Sequence, residues 1–241
     1  MNLVNYFYMT LRQLTKKLLE IKALGFVNTV RAHQGGVGNT LEYYLNIKEN
    51  NLRIPDLGEI EVKAKRIDSK SMLTLSSKAP LPRGVNKVLF NNYKYPDPQE
   101  KFKLYTTVRG SKTNNRGFRI RVERNKLILE NLNKIIAYWP LEKLDDVLKV
   151  GSEEVLLVLA ETKGDFGKSN EKFHYTEAYL LSELGLEKLQ KAILLDYLKV
   201  DIRIGYDLTG KNAGKYHDHG TGFRIFKNHY LYLFKNLVKI M

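Results

Sequence analysis

Residues 55–66 read PDLGEIEVKAKR, setting Asp56, Glu59 and Glu61 beside Lys63, Lys65 and Arg66. Hydrolysis of a phosphodiester needs an attacking water and a stabilised charge on phosphorus. Divalent cations supply both, and Mg²⁺ takes a few carboxylate oxygens, with water and phosphate completing its shell. Asp56 and Glu61 are candidate ligands, and Lys63 is a cation that can sit beside the water. Ile60 and Val62 alternate with Glu61 and Lys63, a period of two that predicts a strand with Glu61 and Lys63 on one face. The turn after Pro55 brings Asp56 close. The competing reading is a solvated strand face.

The pattern D-x4-E-x-K has the residue types and order of PD-(D/E)xK nucleases, but E-x-K alone is weak. It occurs three times, at Glu20–Lys22, Glu61–Lys63 and Glu161–Lys163. The first lies in a helical pattern, where positions i and i+2 do not face each other. The third follows the apolar run EVLLVLA and is a real rival, without an Asp a few residues upstream. Glu42, in GNTLEYYL just before the strand, can add a third carboxylate. By itself it reads sooner as a helix first-turn acid favoured by the helix dipole.

A second constellation is KYHDHGTGFRI. His217 and His219 flank Asp218, and Arg224 follows. Zinc would need further ligands, and neither His174 nor His229 has supporting spacing. A hydrolytic triad lacks a nucleophile elbow. Base readout fits better, since Arg clamps guanine O6/N7 and His bonds base edges. Arg203, in VDIRI, either reaches DNA or pairs with Asp201. Lys70, Ser71, Arg109, Lys112, Thr113 and Arg116 are candidate phosphate or groove contacts.

The elements that must position these groups follow from periodicity. Leu11, Leu14, Leu18 and Ile21 predict a helix over 10–24 stopped by Gly25. The glycines of RAHQGGVGNTLEYYL predict a loop, with Asn39 or Thr40 capping a helix whose face is Leu41, Tyr44 and Leu45. SMLTLSS is a strand. Residues 80–100, with four prolines, read as loop-rich. GFRIRVERNKLILE reads as a hairpin turning near Arg124-Asn125, and EVLLVLAE as a buried strand. A helix is expected over 182–199 through Leu186, Leu189, Ile193 and Tyr197. KVDIRIG and FRIF are strands around a long Gly-rich loop. The class is α/β or α+β with a mixed sheet.

Composition sets the partner. The 241 residues are 43% hydrophobic, enough for a core, and hold no cysteine, which excludes disulfides and thiolate zinc and fits a reducing cytoplasm. The N-terminus has no signal-peptide pattern, and no apolar run reaches the length of a membrane span. The net charge is +14. Residues 81–130 carry +8 and residues 199–241 carry +5, so the excess sits in two separated segments. A field of one sign attracts a polyanion, which points to nucleic acid.

With these residues in view, GGVGNTLEYYL, PDLGEIEVK, SMLTLSSKAPLPRGVN and KVDIRIG…GKYHDHGTGFRI, in that order over about 35–226, resemble the MvaI/BcnI restriction endonucleases, leaning to the MvaI branch. These are MutH-like PD-(D/E)xK nucleases. The resemblance implies a MutH-like fold with a mixed central sheet flanked by helices and two lobes around a DNA cleft. One restriction-endonuclease domain would span 1–241. Its catalytic lobe would be about 1–80 plus parts of 131–200, and its recognition lobe about 81–130 plus 201–241. It implies a monomeric, Mg²⁺-dependent type II endonuclease that nicks double-stranded DNA one strand at a time. The expected site is of the CC-N-GG type, with a central A/T pair favoured over G/C. Asp56, Glu61 and Glu42 would be metal ligands, Lys63 would handle the water, and His217, His219 and Arg224 would read bases. A cognate DNA methyltransferase would accompany it in a restriction-modification system. A MutH-type mismatch-repair nickase and a non-catalytic DNA-binding protein are the alternatives.

Overall fold

The computed structural model describes residues 10–47, 60–98, 101–144, 154–207, 209 and 213–241. Asp56 and Glu59 lie outside them. The chain divides into two units. One comprises Met1–Lys70, Lys149–Glu183 and Phe234–Met241, the other Ser71–Leu148 and Leu184–Leu233.

In the first unit, Thr10 opens helix α1 (Leu11–Ala23) with a capping box. Its hydroxyl accepts from the Gln13 N–H, and the Gln13 side chain accepts from the Thr10 N–H at 2.8 Å. Leu14, Leu18 and Ile21 are buried, whereas Leu11, in the first turn, is exposed. Gly25 ends the helix at φ +68°, a conformation glycine adopts at little cost.

Helix α2 (Gly36–Leu45) corrects an expectation. It starts within the glycines, with Gly35 at the N-cap and no side-chain cap. Asn39 and Thr40 are inside it, and the Thr40 hydroxyl accepts from the Val30 N–H at 3.1 Å. Gly36 is small for a packing reason: a Cβ there would stand 2.7 Å from the Arg31 carbonyl oxygen. Tertiary contact thus overrides the low helix propensity of glycine.

The sheet of this unit runs β1-β10-β9-β2, with β14 beside β10. These strands are β1 (Val27–Asn28), β2 (Ile60–Arg66), β9 (Glu154–Lys163), β10 (Lys172–Leu184) and β14 (Phe234–Lys239). β2 is parallel to β9, the expected buried strand, and β9 is antiparallel to β10. Ile60 and Val62 enter the core with Leu41, Leu45, Leu156, Val158, Phe173 and Tyr175. Glu61 and Lys63 are therefore turned to the other face, as the alternation dictates.

In the second unit the main sheet is ordered β3-β13-β11-β5-β4, with β12 beside β11. Its strands are β3 (Leu73–Ser77), β4 (Tyr95–Asp97), β5 (Lys101–Val108), β11 (Leu198–Tyr206), β12 (Tyr216–Asp218) and β13 (Gly222–Ile225). The predicted hairpin is β6 (Phe118–Glu123) and β7 (Lys126–Asn131), and β8 (Lys134–Pro140) extends it to three strands. The loop-rich stretch 80–100 contains helix α3 (Val85–Tyr93), buried through Leu89 and Phe90. The prolines flank this helix instead of interrupting it.

The helix expected over 182–199 is shorter. β10 runs to Leu184, and α4 spans Leu186–Leu194. Asp196 at φ +59° then turns the chain into β11. Tyr197 lies beyond the helix and stacks on His229, with ring centroids 3.9 Å apart. The fold is α+β with mixed strand pairing, and no helix among the described residues is long and apolar enough to cross a membrane.

Candidate active site and nucleic-acid interface

Strand β2 brings Glu61 and Lys63 into direct contact, Lys63 Nζ donating to Glu61 Oε1. Both side chains are about a quarter exposed, at 29% and 23%. That contact leaves them half-sheltered but reachable. Helix α2, which carries Glu42, packs on β2. The half-buried Glu42 side chain runs back along the helix, its Oε1 3.9 Å from where a Cβ on Gly38 would stand. Tyr175 secures the same helix by donating to the Val37 carbonyl at 2.8 Å. Burial pushes the Tyr175 hydroxyl far above its ordinary value, so it stays a neutral donor.

The donor chemistry here suits a hard cation, since Glu61 and Glu42 offer carboxylate oxygens. Among the described residues, no group of three or more His, Cys, Asp or Glu side chains is gathered tightly enough to hold a metal ion. Asp56, the third expected ligand, lies outside them.

The rival pair is arranged differently. Glu161 and Lys163 lie at the exposed end of β9, with Glu161 opposite His174 on β10. Lys163 Nζ sits 4.2 Å above the Phe26 ring centroid, a cation–π contact.

The second constellation forms one continuous surface of the second unit. His217 is on β12, opposite Gly205 of β11. Its Nδ1 lies 3.0 Å from Asp207 Oδ1. A proton on Nδ1 leaves Nε2 of the neutral ring as an acceptor. The His219 ring lies 4.3 Å from that of His217 and meets Tyr105 edge-on. Asp218, between them, turns inward. Its carboxylate accepts from Asn86 Nδ2 of α3 at 2.5 Å and from the Gly220 N–H at 2.9 Å.

The pairing with Asp201 that the sequence left open for Arg203 is made by Arg224 instead. Asp201 is paired with Arg224 NH1, not with Arg203, and also accepts from the Thr107 hydroxyl at 2.6 Å. Arg224 NH2 donates to the Met72 carbonyl at 3.1 Å. Arg203 Nε donates to the Gly220 carbonyl at 3.2 Å and braces the turn that carries His219.

Arg109, Lys112, Thr113 and Arg116 line one polar hollow of about 620 Å³, with Tyr95, Tyr105 and Asn114. Asp196 pins its rim, accepting from the Gly110 and Ser111 N–H groups at 2.9 Å and from the Ser111 hydroxyl. Burial pushes the Asp196 carboxyl upward. The bonds from Ser111 and Gly110 outweigh it, so the group is held below the usual carboxylate range. Lys70 and Ser71 are exposed, and the division between the two units falls between them.

The contacts of these supporting acids go beyond the sequence reading, which names Asp201 and Asp218 but not these partners. Residues 199–241 contain three acids, Asp201, Asp207 and Asp218. Each engages a named donor at this surface, and their scarcity in a basic segment was the available signal. The second unit carries 23 Lys and Arg against 12 Asp and Glu, a net +11, and the first a net +3. The cationic field thus belongs mostly to the unit bearing the histidines.

A model of the MvaI/BcnI restriction endonuclease family matches residues 15–234. The chain belongs to that family. It is a type II restriction endonuclease, a site-specific DNA endonuclease. Among solved structures, restriction endonuclease MvaI in complex with its cognate DNA substrate is 30% identical over the whole of both chains, with a TM-score of 0.86. MvaI in the absence of DNA is 30% identical over the whole of both chains, with a TM-score of 0.58. No curated protein matches. Membership sets aside the mismatch-repair nickase and the non-catalytic binding protein, and restriction endonucleases generally use divalent metal ions.

Proposed function

We propose that this family member hydrolyses double-stranded DNA with Mg²⁺ at a single centre formed by Asp56, Glu61 and Lys63, with Glu42 as accessory acid. The observation that carries this reading is the contact of Lys63 Nζ with Glu61 Oε1 on β2, next to the helix bearing Glu42. The pair on β9 is engaged otherwise, its lysine resting on Phe26.

When bound, Mg²⁺ would polarise the scissile phosphate and lower the pKa of an attacking water. Asp56, Glu61 and Glu42 would hold the ion through carboxylate oxygens. Lys63, held by Glu61, would set its ammonium beside the attacking water and balance the negative charge that develops on the phosphate. His217, His219 and Arg224 read base edges in the major groove, with Arg203 bracing the turn that carries His219. Arg109, Lys112, Thr113 and Arg116, with Lys70 and Ser71, contact phosphate and groove.

One centre acting on a pseudosymmetric CC-N-GG site, with A/T favoured at its middle, cuts the strands in two successive nicks. The monomer binds in opposite orientations for the two events. A methyltransferase protecting the same site accompanies such an enzyme.

The test is substitution with binding measured in parallel. Glu61→Gln and Lys63→Ala should each lower cleavage by about 10²–10³-fold, the scale of losing an electrostatic group at a transition state. Duplex affinity in Ca²⁺ should be kept. Glu161→Ala should cleave like the parent. Loss of cleavage in Glu161→Ala with activity kept in Glu61→Gln would place the chemistry on β9.

A further inference from the structure

Arg66 closes strand β2, three residues beyond Lys63, and it is 9% exposed. Its guanidinium is spent inside the protein. Nε donates to Glu171 Oε1 at 2.6 Å and NH2 to Glu171 Oε2 at 2.7 Å, a bidentate fork. NH1 donates to the Gln34 carbonyl at 2.8 Å. The Phe166 and Phe173 rings lie 4.5 and 5.3 Å from the guanidinium carbon. Glu171, 2% exposed, also accepts from the Gly167 N–H at 2.9 Å.

Three segments meet at this one cation. They are the end of the strand carrying Glu61 and Lys63, the turn that opens the helix carrying Glu42, and the connection between β9 and β10. The turn has no side-chain cap of its own, because Gly35 occupies the N-cap. Beside the core packing of Leu41 and Leu45 with Ile60 and Val62, the directed bonds that tie it are those from Arg66 NH1 to Gln34 and from Tyr175 to Val37. A buried ion pair is a poor source of net stability compared with apolar side chains of similar volume. Its three directed bonds do fix distances, which apolar packing does less sharply.

We propose that Arg66 is a positioning residue that sets the separation of Glu42 from Glu61 by tying the Gln34 turn to the end of β2. This rests on the reading of those two acids as metal-binding groups. Arg66 itself touches neither DNA nor metal.

The experiment replaces both ions with apolar side chains, Arg66→Met with Glu171→Met, in the full chain. The duplex that the parent cleaves is the substrate. Single-turnover cleavage is followed over a Mg²⁺ series, duplex affinity is measured in Ca²⁺, and Mn²⁺ binding is measured by calorimetry without turnover. The double variant should melt near the parent and bind the duplex within about threefold, as expected when neither ion contacts DNA. Its maximal cleavage rate should fall by about a hundredfold, the scale of a small misplacement of reacting groups. Half-saturation by Mg²⁺ and affinity for Mn²⁺ should weaken by about tenfold, as when a group supporting a ligand is lost.

Unchanged cleavage rate and metal midpoints in a folded double variant overturn the proposal. Should that variant fail to fold, Arg66→Lys keeps the charge but loses the planar fork that grips the Glu171 carboxylate at two oxygens while reaching the Gln34 carbonyl. It should weaken Mn²⁺ binding in the same direction, and a parental midpoint there overturns the proposal equally. Glu61→Gln run alongside separates the two claims. If it leaves Mn²⁺ binding and cleavage intact, the reading of the acids fails. If it abolishes both while the Arg66 variants match the parent, only the positioning role fails.

Discussion

On the proposed reading, single side chains at the histidine surface carry separable jobs. Arg224 is held by Asp201 and the Met72 carbonyl. Loss of its bidentate capacity in Arg224→Ala should relax discrimination by about 1–3 kcal/mol at one base pair. Comparing cleavage of a duplex panel with single mismatched positions measures this. His219→Ala should likewise flatten the site preference, and unchanged preference would remove the ring from the reading set. Glu171 gives a pH signature. Burial pushes its carboxyl upward, but the Arg66 and Gly167 bonds outweigh this and hold it below the usual carboxylate range. A depressed folded value means the stabilisation is full above the unfolded carboxylate value, about pH 4.3, and is lost as pH falls through the folded value. Glu171→Gln should therefore be less stable than the parent by about 3 kcal/mol at pH 7, where it leaves Arg66 buried without its charge partner. In urea unfolding that gap should narrow below about pH 4; a constant gap would contradict the assignment.

Elements were legible where one period ruled. Alternation across Ile60–Lys63 and the apolar run EVLLVLA gave β2 and β9, and the 3.6-residue repeat of Leu14, Leu18 and Ile21 gave α1. The start of helix α2 is not legible because Gly36 serves a close approach to the Arg31 carbonyl, a tertiary fact that no local propensity carries. The helix expected over 182–199 is shorter because Tyr197 continues the stripe of Leu186, Leu189 and Ile193 in sequence but lies beyond the helix, stacked on His229. The bracing roles of Asp196 and Asn86, and the true arginine partner of Asp201, are not legible because the contacts join residues far apart along the chain. The glycine argument is testable within α2. Gly36→Ala should lower stability by about 1–3 kcal/mol, since its Cβ would press a backbone oxygen. Gly38→Ala faces open space apart from Glu42 and should be neutral or stabilising by up to about 1 kcal/mol. Equal melting temperatures for the two variants would show that α2 does not need the close approach.

At the scale of the whole molecule, charge is distributed by task. The unit bearing the histidines holds net +11 and the unit bearing Glu61 and Lys63 holds +3. Affinity for duplex DNA should therefore fall steeply with salt. For 6–10 neutralised phosphates, log K against log salt has a slope of about −5 to −9. Charge substitutions in the second unit should shallow that slope most. The central claim is that the acid-and-lysine strand cuts DNA where the histidine surface reads it. The most direct measurement is to digest a plasmid of known sequence with the purified protein and Mg²⁺, and to sequence the ends. The account predicts discrete fragments whose ends all fall within one short pseudosymmetric CC-N-GG sequence, with nicked circles preceding linear product and no products from Glu61→Gln. Ends scattered without a common sequence, or the same ends from Glu61→Gln, would contradict it.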